Sequence, residues 1–145
     1  MINVGIVGYG YAGRCFHAYL VNLAEGLNLY AVASRAPERR AQAERDYGVK
    51  TYETIDQLVA DENVHLVIIA TPHNTHAELA IKAMDAGKHV VTDKVMCMNV
   101  KEADAMIEAA RKNNVMLSVF HNRRWDWDFL TVKKIIEDGM IGKPY

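Results

Sequence analysis

The chain has 145 residues, of which 50% are hydrophobic and 24% charged, the make-up and length of one ordinary globular domain with a real core. A formal net charge of −1 argues against a polyanion-binding surface, so no nucleic-acid partner is expected, and no apolar run reaches the roughly 18 residues of a membrane span. Cys15 and Cys97 make neither a metal spacing nor a disulfide framework, and Met1 runs into apolar sequence with no basic leader, so the expectation is a cytoplasmic protein with no metal site.

The first element organises the rest. Ile2, Val4, Ile6 and Val7 read as a buried strand. Gly8, Gly10 and Gly13 follow in G-x-G-x-x-G spacing, and Ala12, Cys15, Phe16, Tyr19, Leu20 and Leu23 then recur at steps of three and four. Strand, glycine turn and helix start together predict a dinucleotide site. Gly8 permits the tight turn, Gly10 leaves the backbone open to a pyrophosphate, and Gly13 lets the helix lie close to the strand. The free N–H groups and positive dipole end of the helix suit phosphate. The whole turn, Gly8-Tyr9-Gly10-Tyr11-Ala12-Gly13, is the expected cradle.

A second strand is predicted over 27–33. Pro37 then sits early in a helix that stops at Gly48. A brief strand over 50–52 is followed by Thr54 and Gln57 in capping-box spacing. Val64 to Ala70 is the most strand-like run, and Thr75 with Glu78 repeats the capping pattern for a helix ending at Gly87. His89 to Thr92 is the fifth strand. Asn99 and Glu102 cap a helix with Val100, Ala103, Ile107 and Ala110 on one face. Val115 to Phe120 is the sixth strand, and a helix from about Asp126 to Asp138 comes last. The seven methionines read as core filler. Alternating strands and helices call for an α/β, doubly wound parallel sheet with helices on both faces, in the order 3-2-1-4-5-6. Residues 1–145 then form one dinucleotide-binding domain, with ligand chemistry at the carboxyl ends of the strands.

Those ends hold the candidate site residues. After the second strand stand Ser34 and Arg35, with no carboxylate where NAD sites place one; a hydroxyl and a guanidinium suit a 2′-phosphate, so NADP is favoured and NAD is the runner-up. Arg39 and Arg40 lie nearby and read as solvated charges. Thr71-Pro72-His73-Asn74-Thr75-His76 is a polar loop after an apolar strand. Capping explains Thr75 but not the two histidines, so Thr71, Pro72, His73, Asn74 and His76 are assigned to cofactor contact. Asp93 and Lys94 close the fifth strand at the crevice, and both are assigned to cofactor contact. Lys94 in a crevice can steer a hydroxyl oxygen or donate a proton; its bland alternative is an ion pair with Asp93. His121-Asn122-Arg123-Arg124-Trp125 follows the sixth strand as a rim for cofactor or substrate, with Asn122 and Arg123 the assigned contacts.

With these residues together, the chain resembles the N-terminal domain of the Gfo/Idh/MocA oxidoreductases. The resemblance rests on Gly8 to Gly13, on Thr71-Pro72 with Asn74 and His76, on Asp93-Lys94, and on His121 to Arg124; Trp125 and the helix after it are most similar to NADP-dependent scyllo-inositol dehydrogenase-like members. It implies an NAD(P)-dependent oxidoreductase acting on a sugar, polyol or related small molecule, with Lys94 binding substrate and polarising its hydroxyl. Where the family pattern reads Glu-Lys-Pro, this chain reads Asp93-Lys94-Val95. The resemblance also implies a second α+β domain that supplies a catalytic histidine, an aspartate and the oligomer interface. With the sequence closing at Gly142-Lys143-Pro144-Tyr145, the expectation is a cofactor-binding half that does not turn over alone. Two other readings remain open: a non-catalytic NAD(P)-binding or redox-sensing module, and a methyltransferase, against which Ser34-Arg35 speaks.

Overall fold

The computed structural model describes residues 1–143. Six strands, β1 (Ile2–Val7), β2 (Leu27–Ala33), β3 (Lys50–Tyr52), β4 (Leu66–Ile69), β5 (His89–Thr92) and β6 (Leu117–Val119), form one sheet in the order β3-β2-β1-β4-β5-β6. Every pairing is parallel. The predicted doubly wound order is therefore observed, with its switch point between β1 and β4, where Val7 stands beside Ile69.

The sheet is buried on both faces because its central strands are apolar on both. All four residues of β4 are buried. Alternate residues feed two cores. Val7, Ala33, Val67 and Ile69 pack with α3 (Ile55–Ala60), α4 (His76–Asp85) and α5 (Val100–Lys112) through Leu58, Met84 and Met106. Val4, Ile6, Val32 and Ile68 pack on the other side against the first helix and α2 (Pro37–Tyr47) through Ala18, Val21 and Ala43. The caps behave as the spacing predicts at two helices: Thr54 and Gln57 form a reciprocal capping box, and the Asn99 side chain accepts from the Glu102 N–H. At α4 they do not. Thr75 makes no cap bond; its hydroxyl donates to the Pro72 carbonyl instead.

Two predicted apolar faces change on folding, and the last helix stays uncovered. The first helix runs as a π segment, Gly13–Ala18, followed by α1 (Tyr19–Leu23). Its buried residues are Gly13, His17, Ala18 and Val21, while Phe16, Tyr19, Leu20 and Leu23 are exposed. A π turn holds more residues than an α turn, so a 3.6-residue reading loses phase across it. The strand lies closest at Gly13, where the Gly8 carbonyl leaves no room for a side chain. In α5 the buried residues are Met106 and Ala109; Val100 and Ile107 face outward, and Ala103 and Ala110 are half-buried. The last helix, α6 (Trp127–Glu137), buries no residue, and Trp125 and Trp127 are both exposed. Of the methionines, Met84 and Met106 are core, whereas Met1, Met98, Met116 and Met140 are exposed.

One polar cluster ties β2 and β3 to the end of α3. The Asp61 carboxylate accepts from the hydroxyls of Tyr52 at 2.7 Å and Tyr30 at 3.1 Å, and from the Asn63 backbone N–H at 2.9 Å. The Tyr52 bond and the two Asn63 bonds hold the carboxyl well below the usual carboxylate range. A carboxyl depressed in the folded state stabilises above its unfolded value, about 3.9, and that stability is lost as the pH falls through the folded value. Asp61→Asn should therefore lower the melting temperature at pH 7 and flatten the loss of stability below about pH 4, measured by thermal unfolding across a pH series.

Candidate functional site

The switch point opens a cleft of about 570 Å³ at the carboxyl ends of β1 to β4, with Val7 and Gly8, Ser34 and Arg35, Glu53 and Thr54, and Thr71 and Pro72 on its walls. Five predicted site residues from three loops thus share one cavity: Gly8, Ser34, Arg35, Thr71 and Pro72.

The glycine turn fits a diphosphate for reasons visible in the backbone. Gly8 has φ +96°, and a Cβ there would lie 2.5 Å from the Ala70 carbonyl oxygen. A Cβ on Gly13 would lie 2.0 Å from the Gly8 carbonyl oxygen, so neither position admits a side chain. A Cβ on Gly10 meets nothing within 4 Å. The turn is closed behind and open in front, which leaves its main chain accessible to a bulky anion at a helix start. Tyr11 and Ala12 stand at that start; Tyr11 is exposed, its ring edge-on to Phe16 at 5.5 Å. Tyr9 differs from expectation. Its side chain is in the core, and its hydroxyl donates to Asp46, so only its main chain can face a ligand.

At the end of β2 the Ser34 hydroxyl accepts from the Ala36 N–H at 3.3 Å, turning the chain. Arg35 is exposed, and its guanidinium has no hydrogen bond or ion pair among the described residues. Arg40, read from sequence as a solvated charge, instead donates to the carbonyls of Ser34 at 2.6 Å and Arg35 at 3.2 Å. It braces the loop that presents Arg35, a role no spacing rule encodes.

The β4 loop folds into a 3-10 turn, His73–Thr75, with the Thr71 and Thr75 hydroxyls 2.6 Å apart. His73 and Asn74 are exposed at its rim. His76 is not at the surface. It is fully buried, with Nδ1 2.7 Å from the Val95 carbonyl and Nε2 2.9 Å from the Thr71 carbonyl. Either tautomer donates to one of these carbonyls. The ring therefore ties the β4 loop to the β5 loop, and its influence on a ligand runs through that backbone, not through direct contact.

At the end of β5, Lys94 is exposed and makes no ion pair with Asp93 among the described residues. Asp93 turns inward: Oδ1 accepts the Lys94 N–H at 2.7 Å, and Oδ2 lies 3.5 Å from Nε2 of His17. Burial pushes the His17 imidazole below its ordinary value, and Asp93 opposes that shift. Sequence reasoning passed over His17 because a lone histidine in a helix carries no motif. Beyond β6, the Asn122 Oδ1 is buried without a partner. Arg123 pairs with Asp126 at 2.6 Å and lines a separate hollow against α6, so the fold does not bring it into the main cleft.

Replacing the His76 ring with an apolar group leaves the carbonyl it donates to without that partner. His76→Leu should cost roughly 1–3 kcal/mol in urea unfolding, the penalty of one unsatisfied acceptor.

The comparisons agree with this geometry. The family pattern described as the Gfo/Idh/MocA oxidoreductase family, NAD-binding Rossmann fold, matches residues 2–121. Over 141 residues the chain is 38% identical to scyllo-inositol 2-dehydrogenase (NADP(+)) of Bacillus subtilis, covering 97% of this chain and 38% of that protein. It is 34% identical over 145 residues to myo-inositol 2-dehydrogenase of Thermotoga maritima, covering 99% of this chain and 43% of that one. The crystal structure of an NAD-binding protein from Listeria innocua superposes with a TM-score of 0.93 at 40% identity, over 98% of this chain and 42% of that one. The chain thus spans about 40% of the length of the curated relatives it matches. Its sheet order, its glycine cradle and this match place the chain in the Gfo/Idh/MocA oxidoreductase family, as an NAD-binding Rossmann domain.

Proposed function

We propose that this chain is the cofactor-binding half of an NAD(P)-dependent oxidoreductase acting on a CH–OH group of a sugar, polyol or related small molecule, with NADP(H) preferred. The observation that carries the cofactor preference is the end of β2: an exposed Arg35, unpaired among the described residues, beside Ser34 and braced by Arg40, with no acid at the strand end. The B. subtilis relative named for NADP(+) is consistent with it. A nicotinamide bound at the open end of the cleft would supply the hydride acceptor or donor. The chain's own residues do the rest. The main chain of Gly8 to Gly13 holds the diphosphate, Ser34 and Arg35 hold the 2′-phosphate, and Thr71 to Asn74 close the opposite wall. Lys94 Nζ donates a hydrogen bond to the reacting oxygen and polarises its bond to carbon. The cofactor contacts assigned to Asp93, Lys94, Asn122 and Arg123 belong to the same proposal, with Arg123 first released from Asp126. The substrate wall and the interface of a homo-oligomer would come from the part of the longer relatives that this chain does not span, so the chain alone binds cofactor without turnover.

Two measurements test this. In a fluorescence titration of Trp125 and Trp127, NADPH should bind more tightly than NADH, and Arg35→Ala should cost roughly 1.5–3 kcal/mol for NADPH with little change for NADH. Equal losses for both would make Arg35 structural. In the intact protein, Lys94→Met should lower kcat by about 10²–10⁴-fold, a far larger change than in the NADPH dissociation constant. Undiminished turnover would remove Lys94 from the chemistry, and cofactor binding without turnover in the intact wild type would favour the sensing module.

A further inference from the structure

We propose that His17 is a positioning residue for Lys94, acting through the Asp93 carboxylate; this rests on the reading of Lys94 given above. The Lys94 backbone is set by two bonds to Asp93 and its neighbour. The Asp93 N–H donates to the Ile69 carbonyl at 2.9 Å, extending the β4–β5 ladder, and the Lys94 N–H donates to Asp93 Oδ1 at 2.7 Å. The second bond holds only while the carboxylate keeps one orientation. The group on its free side is His17, with Nε2 3.5 Å from Oδ2.

Three observations separate His17 from a packing residue. It is 3% exposed, yet Nε2 has no completed hydrogen bond, and its polar neighbour is this carboxylate. Its ring is held in place by Phe120 at the end of β6, at 4.6 Å between centroids and a 59° tilt. Asp93 is the one ionisable group acting on it among the described residues. At 3.5 Å the two groups are within reach of one hydrogen bond after a small rotation of either side chain. The ring also sits one helical turn behind Gly13. The helix that opens at the diphosphate cradle thereby reaches the lysine at the other end of the site through one side chain. A neutral imidazole donates through Nε2–H and leaves the carboxylate charged, which keeps both of its oxygens acceptors.

The test is amide exchange and histidine titration by NMR on the 145-residue chain. His17→Leu should speed exchange of the Lys94 amide about tenfold, the loss of one hydrogen bond, while the NADPH dissociation constant moves less than about threefold. His17→Gln, which keeps a donor, should restore slow exchange. Asp93→Asn should lower the titration midpoint of His17, because the charge that raises it is gone; this arm does not need the Leu variant to fold. An unchanged Lys94 amide in His17→Leu, acceleration spread equally over β5 and the first helix, no rescue by Gln, or an unmoved His17 midpoint would each overturn the proposal. None of these readouts uses turnover, so the proposal fails separately from the kcat test of Lys94.

Discussion

The closest backbone approach around the site is the one between the glycine turn, the helix it opens and the end of β4. The Gly8 carbonyl oxygen occupies the space a Gly13 side chain would need, and the Ala70 carbonyl does the same to Gly8. This approach sets how near the helix start comes to the switch point between β1 and β4. It packs Gly13, Ala18 and Val21 beneath the helix and forces its larger apolar residues outward. It also leaves open space at Gly10 beside the helix start, so one steric constraint serves packing and suits an anion alike.

Around that contact the site is built from backbone held by side chains, more than from side chains facing solvent. Arg40 grips the carbonyls of Ser34 and Arg35. His76 spans the carbonyls of Thr71 and Val95. Asp93 holds the Lys94 amide. In each case a polar side chain holds backbone at the sheet edge: Arg40 from the following helix, His76 across to the β5 loop, and Asp93 within its own turn. The groups left exposed, Arg35, His73, Asn74 and Lys94, are the ones free to meet a ligand. A site of this kind places its reactive groups accurately because hydrogen bonds fix the backbone that carries them.

The region beyond β5 is more open. β6 is a three-residue edge strand, and α6 buries nothing, leaving Phe129, Leu130, Val132 and Ile136 accessible. Relatives are more than twice as long as this chain, so in them further structure is available to pack in this region. The contrast with the β1–β4 half is energetic. There both sheet faces are covered; here little apolar area has been removed from water, and local opening is correspondingly cheaper.

Much of this architecture can be read from order alone. Contiguous apolar runs at Ile6-Val7 and Leu66 to Ile69 dictate a sheet covered on both faces, and the alternation of strands with capped helices dictates parallel crossovers. Strand order, the Thr54–Gln57 and Asn99–Glu102 caps and the glycine cradle all follow from such local rules. Three-dimensional packing decided what local rules cannot reach. The π segment rotated the first helix out of its expected phase. Tyr9 and His76 went inward because hydrogen-bond partners distant in sequence, Asp46 and Val95, were waiting there. Arg40 and His17 acquired their tasks from groups brought beside them by folding. Periodicity records which face a residue prefers, whereas a partner across the fold determines what that residue does.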